Sequence, residues 1–515
     1  MGKKTRTEYS FLNIVTGLGG YVLNLILGLI CRMVFTRTLA VEYLGVSGLF
    51  SNILSMLSLA ELGIGSAIVF ALYKPLAQDD RPKIASLVQF YGKCYRVIGI
   101  TVAVIGASLI PFLHLLIDEP NIKENIYLLY GLYLFNAASS YFFSYRASLL
   151  MAAQRNYLVT GIGYLFTITQ SVLQTIWLFA THEYIGYLII QFLGTFAYNI
   201  TVSLIAKKEY PYIADKGIQP IEREERNRLV RNVRALVIWK LCGLLVNSTD
   251  NIIITYFNGL IAVGLASNYT LLSGTLNSLI NLFFNGLTAS VGNHNAQEDT
   301  EHKYALFKSI NLANFWMFGW ASIGIFVCSS DMVQLLFGSH YVLPIKIPFI
   351  IALNFYMVGM QSAVWMYKNT MGIFHQGRYL LLLTAAINLV ASIWLGKLLG
   401  LFGILVATAI SRACTNTWFD PYAIHKYGFG ISVRPYYLRY LAFAALCAAT
   451  GALCYGLCAL LPFSLLINVI LKIVICSAVC NGVFFLCFHR SAEFKYLWGF
   501  AGRVLSRLSV VLHRR

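Results

Sequence analysis

The sequence predicts an all-α polytopic membrane protein. Fourteen transmembrane helices are expected, set as two six-helix lobes in parallel pseudo-twofold repeat plus two extra helices. Three observations predict this. Of 515 residues, 58% are hydrophobic and only 12% are charged, with mean hydropathy +0.68; a soluble chain carries about 25% charged residues. Apolar stretches of membrane length, about 20 residues, recur along the whole chain. Finally, the chain repeats part of itself at a fixed offset.

The predicted spans run 11–36, 44–72, 87–116, 125–151, 157–180, 184–206, 231–257, 260–291, 305–328, 346–371, 378–399, 402–424, 436–459 and 465–488. The first is too long for a signal-peptide core and lacks a small-residue cleavage site, so it is read as a retained helix. Several exceed the minimum and imply tilt. The cuts near 259 and 400 rest on Asn258–Gly259 and Gly400, both turn signals. The linker 207–230 contains the charged run EREERNR and reads as a solvated cytoplasmic connection. From Phe494 to Arg515, Leu497, Phe500, Val504, Leu508 and Val511 recur at helical spacing, with Arg503, Arg507 and Arg514 on another face. That tail reads as a helix on the anionic cytoplasmic leaflet.

Charge tests the count. With fourteen spans, 26 basic residues flank one side of the membrane, and only Arg37, Lys123, Lys346 and Lys397 flank the other. The positive-inside rule then places both termini in the cytoplasm. The net charge of +18 is explained by this asymmetry, so nucleic acid is not an expected partner. The expected organisation is an N-lobe 1–206, a linker 207–230, a C-lobe 231–425, two further helices within 426–488 and a basic tail 489–515.

The repeat appears as YRASLLMAAQRNYL near 145 and YKNTMGIFHQGRYL near 367. Tyr145 matches Tyr367, Arg146 matches Lys368, Ser148 matches Thr370, Gln154 matches Gln376, Tyr157 matches Tyr379 and Leu158 matches Leu380, all at an offset of 222. Gly45 matches Gly264 and Phe50 matches Tyr269 at 219, and Gly186 matches Gly403 at 217. Spans one to six thus map in order onto seven to twelve. An even number of helices per copy gives both copies the same orientation.

Two six-helix lobes with two extra helices resemble the multidrug/oligosaccharidyl-lipid/polysaccharide exporter superfamily, and within it the Wzx-type polysaccharide flippases. The resemblance is carried by FTRTLAVEYLGVSGLFSNILSMLSLAELGIGSAI, STDNIIITYFNGLIAVGLASNYTLL and YRASLLMAAQRNYL, and covers nearly the whole chain. It implies translocation of undecaprenyl-pyrophosphate-linked oligosaccharide across a bacterial inner membrane by alternating access, for surface polysaccharide synthesis. The implied partners are that lipid-linked oligosaccharide, membrane lipids, and a polysaccharide polymerase and glycosyltransferases of the same pathway.

Polar residues inside the spans sharpen this. An ionised side chain at mid-bilayer costs about 2.5–3.5 kcal/mol on insertion scales, so it must face protein or water. Span one carries Asn13, Gly17, Gly20, Asn24, Gly28 and Arg32 on one stripe; span two carries Ser51, Ser55, Ser58 and Glu61. Span seven carries Lys240, Gly243, Asn247 and Asp250, and span eight Asn277, Asn281, Asn285 and Thr288. Small polar stripes also serve helix packing, but together they read as a water-filled lumen. Its expected charge is basic: Arg32, Lys240 and Arg412 deep, with Arg146 and Lys368 nearer the cytoplasmic ends. Guanidinium pairs well with phosphate oxygens, so these five residues, with Asn247 and Asn281, are the expected substrate contacts. Glu61 and Asp250 are the expected deep carboxylates, for ion coupling or gating with H+ or Na+, or for a fixed ion pair.

Rival readings remain within reach. A lipid II or spore-wall precursor flippase shares the architecture. A cation-coupled drug exporter is disfavoured by the basic set. A membrane polysaccharide polymerase would need a large outer loop, yet the outer loops are short and Asp118–Glu119 is their only acidic pair. No Walker A pattern is present, and no cofactor, catalytic residue or metal site is expected. Eleven cysteines lie in apolar stretches, with Cys454 and Cys458, then Cys476 and Cys480, one turn apart; they read as small packing residues.

Overall fold

The computed structural model describes residues 6–57, 69, 71–115, 117, 122–153, 155–215, 221, 223–297, 299–373, 376–377 and 379–499. Every secondary-structure element among them is helical. The chain forms two compact units, Met1–Gly264 and Leu265–Arg515. The elements are α1 (Arg6–Thr38), α2 (Val41–Leu57), α3 (Arg81–Ser108), α4 (Ile126–Ser144), α5 (Ala147–Ala152), α6 (Asn156–Thr181), α7 (Tyr184–Glu209), α8 (Arg223–Gln297), α9 (Thr300–Phe337), α10 (Lys346–Thr370), α11 (Leu380–Leu399), α12 (Leu401–Cys414), α13 (Asn416–Ala423), α14 (Arg434–Ala459) and α15 (Leu465–Phe488).

Local chemistry sets the ends. Asp80, Asn125 and Asp299 accept backbone N–H groups at the starts of α3, α4 and α9, satisfying donors that a helix leaves open. Pro82 fits the first turn of α3, where its missing N–H is not needed. Gly400 at φ 60° separates α11 from α12. Gly259, at φ 76° and ψ 174°, interrupts α8, at the place where Asn258–Gly259 predicted a cut.

Ten helices among the described residues are long and apolar enough to cross a membrane. They also expose apolar side chains at helical spacing: Val97, Ile100 and Val104 on α3, for example, are 63%, 56% and 63% exposed. Water would not tolerate such faces on ten helices; lipid does. The chain is a multi-pass membrane protein. Several predicted spans take another form. Predicted spans four and twelve are each broken, by the turn at Tyr145–Arg146 and by Thr415 at φ −128°, ψ −91°. Part of predicted span two, with Glu61, lies outside the described residues, as does the tail from 500 onward.

In the first unit, α1 lies along α6, α6 pairs with α7, and α4 packs against both α3 and α7. In the second, α11 and α12 form a hairpin, α10 packs on α9 and α12, and α9 meets both α14 and α15. With lipid outside, these contacts rest on close packing rather than escape from water. Glycines make the closest of them. A Cβ on Gly45 would lie 2.1 Å from the Leu260 carbonyl oxygen, and one on Gly264 would lie 2.5 Å from that of Val41. These two glycines are the pair matched by the repeat, and they meet face to face within the first unit. The other matched pair also marks equivalent hairpins: Gly186 seats the Trp177 indole, and Gly403 abuts the Leu395 carbonyl.

The second unit holds a core of Phe315, Phe443, Phe484, Met360 and five buried cysteines: Cys328, Cys454, Cys458, Cys476 and Cys480. The Phe315 and Phe443 rings stack at 4.1 Å. The Cys454 and Cys480 sulfurs lie 3.9 Å apart, and Cys476 meets Cys328, Cys454 and Cys458. Small polarizable side chains let α9, α14 and α15 converge here.

Candidate functional site

The repeat reappears as matched geometry inside each unit. In the first, Arg146 stands at the turn between α4 and α5. Its Nη1 donates to Ser203 Oγ on α7 at 2.6 Å, and its guanidinium lies 5.3 Å from the Tyr145 ring. In the second, Lys368 ends α10 and its Nζ donates to Asp420 Oδ1 on α13 at 2.6 Å. Ser203 and Asp420 are separated by 217 residues, the offset of the Gly186–Gly403 pair. Each basic residue therefore reaches the equivalent point of the equivalent helix. One finds a hydroxyl there; the other finds a carboxylate.

The ion pair is well enclosed. The Lys368 side chain is 19% exposed and that of Asp420 only 4%. The Trp365 indole donates to the second oxygen, Oδ2, at 3.0 Å. Both carboxylate oxygens are thus occupied, which a buried charge requires. Asp420 is absent from the residues singled out by sequence. It is a buried carboxylate within predicted span twelve, additional to the two carboxylates expected from sequence. The signal was available: at the repeat offset, a serine in one copy faces an aspartate in the other.

Arg32 is half-buried on α1, six residues before its end at Thr38, or about 9 Å along the axis. Its charge acts on Cys31, Tyr133 and Tyr187. Those tyrosines belong to an aromatic cluster in which the Tyr133 and Tyr184 hydroxyls bond at 2.8 Å and the Phe35 ring meets Tyr184 and Tyr187 edge-on. Asp250 is half-buried on α8, nine residues before Gly259. Lys240 and Asn247 lie on the same helix; their side chains fall outside the description, and Glu61 lies outside the described residues. Asn281 donates to Asn277 Oδ1 at 3.0 Å, one turn back on α8. Arg412 is half-buried in the last turn of α12.

The stripe predicted on the first span separates into distinct roles. Gly20 seats the Tyr164 ring, with a Cβ position only 2.0 Å from it, whereas Gly28 has nothing within 4 Å. Asn24 lines a groove with residues of α6 and α7. Other ion pairs were not foreseen, among them Lys472–Asp331 at 2.5 Å and Arg439–Glu493 at 2.9 Å. These two tie α15 to α9, and the segment after α15 to α14.

No family model and no curated protein sequence matches this chain. Solved structures do match. The chain is similar to the lipid II flippase MurJ in an inward closed conformation, with TM-score 0.66 and 12% identity over 93% of this chain and 100% of that one. It is also similar to an inward-facing multidrug resistance MATE family transporter of the MOP superfamily, with TM-score 0.58 and 14% identity over 78% of this chain and 94% of that one. A third is a point mutant of the Vibrio cholerae MATE transporter VcmN, with TM-score 0.53 and 14% identity over 83% and 99% of the two chains. At these identities the likeness is one of fold: this chain has the fold shared by MurJ and the MATE transporters.

Proposed function

We propose that this protein is a flippase that moves undecaprenyl-pyrophosphate-linked oligosaccharide across a bacterial inner membrane by alternating access. The reading takes the chain as fourteen transmembrane helices with both termini in the cytoplasm. The observation that carries it is the extent of the fold match to the lipid II flippase, 93% of this chain and 100% of that one. The matches to the two MATE transporters span 78% and 83% of this chain. The sequence motifs then favour an oligosaccharide as the cargo.

In this reading Arg32, Lys240 and Arg412 receive the pyrophosphate, with Asn247 and Asn281 contributing hydrogen bonds. Guanidinium suits the task because its planar donors match two phosphate oxygens at once. Arg146 and Lys368 act at the cytoplasmic end. Arg146 holds a neutral hydroxyl and lies over the Tyr145 ring, with no carboxylate among these partners, so an arriving anion competes for it easily. Lys368 must first leave Asp420, which makes it the element that resists. Glu61 and Asp250 carry the coupling ion, H+ or Na+, and the pathway's polymerase and glycosyltransferases are the partners. Lipid II transport is the second reading, favoured by the same fold match.

The test is translocation in proteoliposomes of a fluorescent polyprenyl-pyrophosphate oligosaccharide, scored by reagent access from outside. The wild type should move it faster than empty vesicles, and Arg32→Ala should abolish movement while still inserting. Movement of lipid II alone would select the second reading. Wild-type rates equal to empty vesicles for both lipids would refute the proposal.

A further inference from the structure

The first unit contains a groove of about 570 Å³ between α1, α6 and α7, within the range that ligand sites occupy (about 300–1,000 Å³). None of the residues lining it is charged. Along α6 the lining residues Asn156, Val159, Thr160, Gly163, Thr167 and Gln170 follow helical spacing, so they form one face. Asn156 to Gln170 spans roughly 21 Å of helix. The site is elongated and neutral, unlike the basic set assigned to the pyrophosphate.

Its hydrogen-bonding character is biased. Thr167 and Thr195 donate their hydroxyl protons to the carbonyls of Gly163 and Gln191, at 2.9 and 3.0 Å. What they turn to a ligand is therefore acceptor lone pairs. Gln170 Nε2 donates to Gln174 Oε1 at 3.4 Å, and Gln174 Nε2 donates in turn to the Tyr187 carbonyl at 3.1 Å. Gln174 is 3% exposed, so this relay fixes the Gln170 amide with its Oε1 as the remaining acceptor. Asn24 and Asn156 add amides that can both donate and accept.

The polar groups are also seated. A Cβ on Gly194 would lie 2.7 Å from Gln170 Oε1, and one on Gly20 only 2.0 Å from the Tyr164 ring. Tyr198 rests against Gly163, whose Cβ position is 3.4 Å from it. One tyrosine ring and an amide are thus seated closely against backbone, with the Tyr198 ring beside them. Hydroxyl and amide groups without carboxylate or ammonium suit a neutral ligand rich in hydroxyls. Aromatic rings beside them suit the C–H face of a pyranose. A phosphate finds no cation here, and a cationic drug finds no countercharge.

We infer that this groove is a glycan subsite, taking neutral sugar residues of the transported lipid-linked oligosaccharide while the pyrophosphate is held elsewhere. The inference rests on the flippase reading above. The same chemistry would accept a free sugar, so the test carries both forms.

Purified full-length protein in nanodiscs is titrated with a panel of farnesyl-pyrophosphoryl disaccharides built from glucose, galactose, mannose or N-acetylglucosamine. Bare farnesyl pyrophosphate and the free disaccharides are titrated in parallel. At least one lipid-linked disaccharide should bind tenfold or more tightly than bare farnesyl pyrophosphate. Gly194→Ala, which displaces Gln170, and the isosteric Thr195→Val should each remove most of that gain and leave the bare carrier unchanged. Thr195→Val guards against a folding defect in the first variant. No gain from any disaccharide, an unaltered gain in both variants, or displacement of the bound glycan by tetraphenylphosphonium would each overturn the subsite. Equal affinity for a free disaccharide would overturn its place on the carrier. Translocation separates the two levels: a wild type that moves the carrier without a glycan gain defeats the subsite alone, whereas one that neither binds nor moves any carrier defeats the flippase reading.

Discussion

Replacing Asp420 by asparagine leaves the Lys368 ammonium without its countercharge, and the structure sets the size of that change. An exposed ion pair contributes about 0–1 kcal/mol. Here the two side chains are only 19% and 4% exposed, so the relevant case is removal of one partner from a buried pair, about 3–5 kcal/mol. Asparagine still accepts from the Trp365 indole, which removes charge and keeps the second hydrogen bond. Lys368 retains a partial path to water, so Asp420→Asn should lie at the low end, about 3 kcal/mol. Lys368→Met strands the more deeply buried group and should cost about 4 kcal/mol. The double variant Lys368→Met/Asp420→Leu leaves no stranded charge and should recover much of the loss. The repeat provides the control. Arg146→Met removes a hydrogen bond to a neutral hydroxyl and should cost about 1.5–2 kcal/mol. SDS titration of the purified variants in mixed micelles reads these differences. An Asp420→Asn protein as stable as wild type, or a double variant that shows the full sum of the single losses, would refute the reasoning.

The glycine crossing gives a sharper steric test. Gly45→Ala and Gly264→Ala should each sharply reduce recovery of folded protein, because a backbone oxygen occupies the Cβ position, while Gly28→Ala, with open space around it, should be recovered at wild-type level; size-exclusion chromatography of the detergent extract decides. Glu61→Gln and Asp250→Asn should each weaken the dependence of transport on a proton or sodium gradient in proteoliposomes, and unchanged dependence in both would remove the coupling role. Asp299 caps α9, and the His302 backbone and ring hydrogen bonds lower its pKa. A depressed folded-state value means that the cap is fully formed above the ordinary aspartate pKa, near 3.9, and is lost as pH falls through the lower one. Protection of the His302 amide from hydrogen exchange, taken relative to its intrinsic rate at each pH, should fall over that acid interval in the wild type and be low throughout in Asp299→Ala; equal protection in both would remove the cap.

Helix positions were legible because apolar length and turn chemistry act locally: the break at Gly259 and the hairpin at Gly400 follow from single residues. The repeat was legible too, and it carried more than expected. Gly45 and Gly264 matched as letters before they were seen to meet as backbones. What the sequence concealed is lateral. Asp420 lies 52 residues from Lys368, and no periodicity on either helix points across the gap. The groove likewise draws Asn24, Gln170 and Thr195 from three helices, and only Asn24 stood on a stripe visible in advance. Gly20, on that same stripe, serves as a seat for Tyr164, so one polar face of α1 mixes packing with access. Charge depth was also hard to read, because hydropathy reports the span and not the neighbours.

The sulfur cluster of the second unit has a practical consequence for spectroscopy. Site-directed labelling of transporters usually begins by deleting every native cysteine. Here Cys328, Cys454, Cys458, Cys476 and Cys480 are at most 3% exposed, so the deletion would rebuild the meeting point of three helices. Cys414 and Cys487 are the exposed thiols among the described residues. Replacing those two together with the partly exposed Cys94 and Cys447 and with Cys242, whose side chain falls outside the description, while retaining the buried five, leaves a background in which a new surface cysteine would react far faster than the rest, so distance measurements between spin labels or fluorophores can follow the transport cycle without disturbing the core they report on.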